Sequence, residues 1–63
     1  MRLAAIWSKN GKEIHRVSPV MNIVCEEDMT NIAEIEVKDN KDWYSSETLN
    51  IEADDFAIVI ERN

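Results

Sequence analysis

Lys9-Asn10-Gly11-Lys12 stands between an apolar run, Leu3 to Trp7, and a mixed segment in which Ile14 and Val17 are the apolar positions. Asn-Gly is the preferred pair for a two-residue type I′ turn, because both central residues need positive φ. The flanking residues 3–8 and 13–17 suit strands. With Asn10 and Gly11 as the loop, Lys9 faces Lys12, Ser8 faces Glu13, Trp7 faces Ile14 and Ile6 faces His15. Trp7 opposite Ile14 is a favourable aromatic–branched cross-strand pair. The pattern predicts a β-hairpin.

Ser18-Pro19 interrupts the ladder, since proline has no N–H and restricts the residue before it. Residues 20–25 are rich in β-formers and read as a third strand, followed by a polar connection over 26–30. Residues 31–38 alternate between apolar and polar. Ala33, Ile35 and Val37 point one way and Glu34, Glu36 and Lys38 the other, as in an antiparallel strand with one wet face. Residues 39–42 form a turn by composition. Residues 43–48 read either as the start of a strand or as a short helical turn capped by Asp42. Leu49, Ile51 and Ala53 alternate with Asn50 and Glu52, which predicts a strand over 48–53. After a turn at Asp54-Asp55, Phe56, Ile58 and Ile60 share one face, and Ala57 and Val59 the other. Apolar side chains on both faces mark a central strand, or one covered by a partner.

The fold class expected is all-β: a small antiparallel sheet or barrel of five to six short strands, starting with the type I′ hairpin. The alternative is α+β, with one short helix in 28–32 or 43–48. No long segment of period 3.6, internal repeat or low-complexity tract is present.

The 63 residues fit a single small domain, residues 1–63. A lone Cys25 makes no internal disulfide, and one Cys with one His cannot meet zinc-ligand spacing. Cys25 follows Val24 in an apolar run and is expected to be a small core residue. The free thiol suits a reducing, cytoplasmic compartment. No apolar run reaches membrane-spanning length, and no secretory signal pattern is expected at the start. A chain this short buries only about 60% of the surface it exposes when unfolded. Burial in a homodimer or a tight partner complex would add to its stability.

Charge changes this picture most. Residues 1–18 hold Arg2, Lys9, Lys12 and Arg16 against Glu13 alone, a balance of +3, and residues 19–63 carry −9, which together give the net −6. A surface that negative repels phosphate and anionic lipid and attracts basic protein surfaces. The candidate partner-binding residues are Glu26, Glu27 and Asp28 in one loop, Glu34 and Glu36 on one strand face, and Asp39 and Asp42 in a turn. Glu52, Asp54 and Asp55 add further charge near the end. On an ideal strand Glu34 and Glu36 lie about 6.8 Å apart, near the single-strand phosphate repeat, as any i, i+2 pair does. Trp43 and Tyr44 follow the acidic turn and face opposite ways, so at least one is an expected contact anchor.

Reactive constellations are scarce. His15 lacks a nucleophile motif, and its ordinary role is a strand residue. Glu26-Glu27-Asp28 and Asp39-x-x-Asp42 do not match a calcium loop, and one glycine does not build a phosphate cradle. No catalytic residue, cofactor or metal is expected. The leading expectation is a non-enzymatic, acidic protein-binding protein. It would act as an inhibitor occupying a basic or nucleic-acid-binding surface of another protein. In size and charge this is like the small accessory proteins of bacterial viruses that block a host protein. One alternative is a self-associating assembly module, driven by the sheet edge and residues 56–60. The other is a small regulator that binds nucleic acid through Arg2, Lys9, Lys12, Arg16 and Trp7, which the net charge disfavours.

Overall fold

The computed structural model describes residues 1–28 and 31–62. Strands β1 (Arg2–Lys9) and β2 (Lys12–Val17) flank the Asn10-Gly11 turn. Asn10 has φ 53° and Gly11 φ 79°, as the type I′ turn demands. The chain continues through β3 (Asn22–Val24), a 3₁₀ turn (Ile32–Glu34), β4 (Glu36–Lys38), β5 (Trp43–Tyr44), helix α1 (Ser46–Leu49) and β6 (Asp55–Glu61). Two three-stranded antiparallel sheets result, in the orders β2-β1-β6 and β3-β4-β5. The all-β expectation holds, with one short helix. Met29 and Thr30, part of the expected 26–30 connection and of the 28–32 helix alternative, lie outside the described residues.

The hairpin register departs from expectation at one point. Lys9 faces Lys12 and Ser8 faces Glu13, but a β-bulge follows, and Trp7 then faces His15 and Ile6 faces Arg16. The expected Trp7–Ile14 pair does not form, and Ile14 is exposed. The bulge has a clear physical consequence. Without it, Arg16 would oppose Ala5 on the core face and Val17 would turn outward. One extra residue on β2 reverses the orientation of all that follow. Val17 thereby reaches the core, and Arg16 reaches solvent.

The core is Ala5, Trp7 and Val17 from the larger sheet and Val37 from the smaller one, with Val20, Ile35, Tyr44, Leu49, Ile51 and Phe56 around it. Trp7 meets the Phe56 ring at 5.2 Å and the His15 ring at 5.9 Å between centroids, both tilted. Such geometry suits the ring quadrupoles.

Two expected strands are replaced by tighter local structure. Asn31 caps the 3₁₀ turn by accepting from the Ala33 N–H, so the strand expected over 31–38 is confined to β4. Asparagine competes for backbone groups in this way wherever a turn is sterically open. At 43–48 both readings are partly right: β5 is followed by α1. The helix cap is Ser45, not Asp42, and Ser45 and Thr48 form a reciprocal capping box. At the other end Asn50 adopts a left-handed φ of 54°, with Asn50 N–H bonded to Glu47 C=O and Ile51 N–H to Ser46 C=O. This Schellman-type ending replaces the strand expected over 48–53. Leu49, Ile51 and Ala53 still pack on the core while Asn50 and Glu52 stay exposed.

Candidate docking surface

The two sheets differ sharply in charge. Residues 20–50, which include the small sheet, the 3₁₀ turn and α1, hold eight carboxylates against Lys38 and Lys41, a local −6. The remaining residues hold five carboxylates against five cations. The entire net charge therefore belongs to the smaller sheet and its connections.

In the larger sheet, acids and bases meet directly. Arg16 forks to Glu13 at 2.7 Å and to Glu61 at 2.6 Å, and Arg2 lies 3.4 Å from Glu61. Ser18 also donates to Glu61. Lys9 pairs with Glu52 at 3.0 Å, and the Asn10 N–H donates to Asp54 at 3.1 Å. The Arg16 hydrogen bond holds the Glu13 carboxyl below its ordinary range. Those from Ser18 and then Arg16 do the same for Glu61, and both partners hold the Arg16 proton more firmly than usual. Three of the four cations of the basic hairpin are thus engaged within the molecule.

The small sheet gathers acids at its two ends. Val24 opposite Glu36 in the β3–β4 register carries the turn with Glu26, Glu27 and Asp28 to the end where Glu34 and Glu36 lie. All five are exposed. Helix α1 packs beside the 3₁₀ turn, which adds the exposed Glu47 to that end. Sequence reasoning missed Glu47 because the segment around it was ambiguous. Glu34 and Glu36 do not share a strand face: Glu34 ends the 3₁₀ turn and Glu36 begins β4. They are therefore not the i, i+2 pair of one strand that was expected.

At the opposite end Asp39 organises the turn. Its carboxylate accepts from the N–H groups of Asp42 (2.9 Å) and Lys41 (2.7 Å) and from the Tyr44 hydroxyl (3.0 Å). These bonds, led by that from Asp42, lower the Asp39 pKa, and the Asp39 bond raises that of Tyr44. Asp39 and Tyr44 are committed to the turn, whereas Asp42 and Trp43 are exposed. Trp43 keeps 40% of its surface in solvent, with the Lys38 ammonium 5.9 Å from its ring centroid. Of the two expected aromatic anchors, Trp43 is the accessible one.

A cleft of about 270 Å³ is lined by His15, Arg16, Ser18, Asp39, Tyr44 and Leu49, among others. Cys25 is not part of it and is exposed, contrary to its expected place in the core. Its run of neighbours is short because β3 ends at Val24. Among the described residues, no three His, Cys, Asp or Glu side chains converge on a metal-sized site, and no helix is long and apolar enough to cross a membrane.

The depressed carboxyls predict acid sensitivity. Glu13, Asp39 and Glu61 bind protons less readily folded than unfolded, so their contribution is complete above the unfolded values of 4.5 for Glu and 3.8 for Asp. It is lost as pH falls through the lower folded values. The urea midpoint should be flat near neutrality and drop below about pH 4.5, and Glu61→Gln should flatten that drop. An acid limb unchanged in Glu61→Gln would show that the Arg16–Ser18–Glu61 cluster contributes nothing to it.

No protein-family model, curated protein or solved structure matches this chain.

Proposed function

We propose that this chain is a non-enzymatic docking protein whose acidic small sheet seats on the basic, nucleic-acid-binding surface of another protein and blocks it. The observation that carries this reading is the charge segregation: the whole −6 belongs to residues 20–50, while the larger sheet balances its own charges. Exposed carboxylates at the Glu26–Asp28 turn, Glu34 and Glu36 supply long-range attraction, which acts chiefly on the association rate. Asp42 and Trp43 supply a second contact, with an exposed indole of the kind that anchors interfaces. Engagement of Arg2, Lys9 and Arg16 by internal carboxylates counts against direct nucleic-acid binding by the hairpin.

The test is capture of proteins from the native host on immobilised wild type and on a Glu27→Gln, Asp28→Asn, Glu34→Gln, Glu36→Gln variant. Wild type should retain a basic protein that duplex DNA and salt both release. The purified partner should associate with the variant roughly 10- to 100-fold more slowly and with weaker salt dependence. Equal capture by both forms, or a direct shift of labelled duplex by the chain itself, overturns the reading.

A further inference from the structure

Among the described residues the two sheets end in four edge strands, and three of these carry protection. Edge strand β2 bears Lys12, Glu13 and Arg16 and is broken by the bulge. Strands β3 and β5 are three and two residues long. Charges, bulges and shortness are the usual means by which a sheet edge avoids pairing. Strand β6 is long and free of bulges, and its charges, Asp55 and Glu61, stand only at its two ends. Its seven residues, Asp-Phe-Ala-Ile-Val-Ile-Glu, follow β1 without a register shift and contain no Pro or Lys. A strand apolar on both faces is expected at the centre of a sheet, yet β6 is terminal. On its core-facing side the register aligns Leu3 with Ile60 and Ala5 with Ile58. Leu3 is 44% exposed, Ile58 38% and Ile60 61%, so an apolar strip continues past the cover of the small sheet.

We infer that β6 pairs antiparallel with β6 of a second copy of this chain, making one continuous six-stranded sheet about a two-fold axis at Val59. The occupant follows from charge and register. The larger sheet is electrically balanced, so two such flanks meet without the repulsion that two small sheets would suffer. An axis at Ile58 would set Asp55 opposite Glu61 twice, and like charges directly opposed are destabilising. An axis at Val59 instead sets Ile58 opposite Ile60, Ala57 opposite Glu61 and Phe56 opposite Arg62. The backbone suits it. Val20 N–H bonds to Leu3 C=O on the β2 side. By antiparallel alternation, Ala4 and Ile6 then face β6 and engage Val59 and Ala57, which leaves the main-chain groups of Ile58 and Ile60 turned outward. Across the axis those two residues form the hydrogen-bonded pairs, and Val59 meets its own copy in a close, non-hydrogen-bonded pair. This association uses a different surface from the acidic docking face and does not depend on it.

Sedimentation velocity across a dilution and salt series tests the inference, together with cross-linking of cysteine variants in a Cys25→Ser background. Wild type should sediment at twice the chain mass at the upper end of the series. Dissociation should weaken as salt rises, because screening relieves the mutual repulsion of two −6 molecules; docking on a basic partner would respond in the opposite sense. Ile60→Lys should abolish the dimer. Val59→Cys should oxidise to a covalent dimer, since the close pair falls within disulfide reach, while Ile14→Cys on the opposite edge should not. The Val59→Cys result stands even if Ile60→Lys fails to fold. A wild type monomeric throughout, or a dimer that Val59→Cys does not trap, overturns the inference.

Discussion

Trp7→Ala is expected to remove the cooperative unfolding transition of this chain. Trp7 is fully buried and touches both sheets' contributions to the core: Ala5 and Val17 beside it, Phe56 and His15 at its ring, and Val37 across from it. Truncating a buried Trp costs about 3–5 kcal/mol. A domain of this size has a total stability of roughly 3–9 kcal/mol at ~0.05–0.15 kcal/mol per residue, so little or nothing remains. Trp7→Phe should be far milder than the alanine change. Among the described residues the buried indole Nε1–H has no hydrogen-bond partner, and such a group carries a penalty of about 1–3 kcal/mol. Removing it offsets part of the volume lost. Thermal unfolding followed by circular dichroism separates the outcomes: no transition for Ala, a lowered but sharp one for Phe. A Trp7→Ala protein that melts near the wild-type temperature would show that the core is centred elsewhere.

Val37→Asp should be comparably severe, for a different reason. Val37 is fully buried and lies in the middle of β4, the central strand of the small sheet. A carboxylate placed there has no cation designed for it, and an unpaired buried charge costs several kcal/mol or forces the site open. Because one core serves both sheets, opening should unfold the whole domain. Val37→Ala, which removes only methyl groups, should cost about 2 kcal/mol. The two tryptophans provide the readout, Trp7 for the larger sheet and Trp43 for the smaller. In the Val37→Ala background each single-tryptophan variant, Trp7→Phe or Trp43→Phe, should show a fluorescence transition in urea that coincides with its own far-UV circular dichroism transition. If Trp43 reports unfolding while Trp7 stays buried in Val37→Asp, the sheets are separate folding units.

Where sequence and structure agree, the signal was local and chemical. Asn10-Gly11 required a turn with positive φ, and the apolar stretches ahead of that turn and at residues 56–60 suited strands. Where they part, the decisive information lay at longer range or in competing short-range bonds. The bulge opposite Trp7 depends on which residues the rest of the chain buries, and a two-residue turn alone does not encode it. Residues 31–38 and 48–53 have the burial period of strands, yet Asn31, Ser45 and Asn50 divert the backbone into caps and a left-handed turn. Burial period survived there while strand pairing did not. The split of charge between the first 18 residues and the remainder was legible. Its distribution over the sheets was not, because Glu52 and Glu61, remote in sequence, fold back beside Lys9, Arg2 and Arg16. The placement of β6 at an edge was equally hidden, since strand order is a property of the assembled sheet.

Because the net charge belongs to the smaller sheet and its connections, the centre of charge is displaced from the centre of mass. An oppositely charged surface then exerts a torque on the molecule before any contact is made, turning the carboxylate-rich end forward. Collisions begin already oriented, and fewer of them are wasted on the neutral flank. The same net charge spread evenly would exert no such torque.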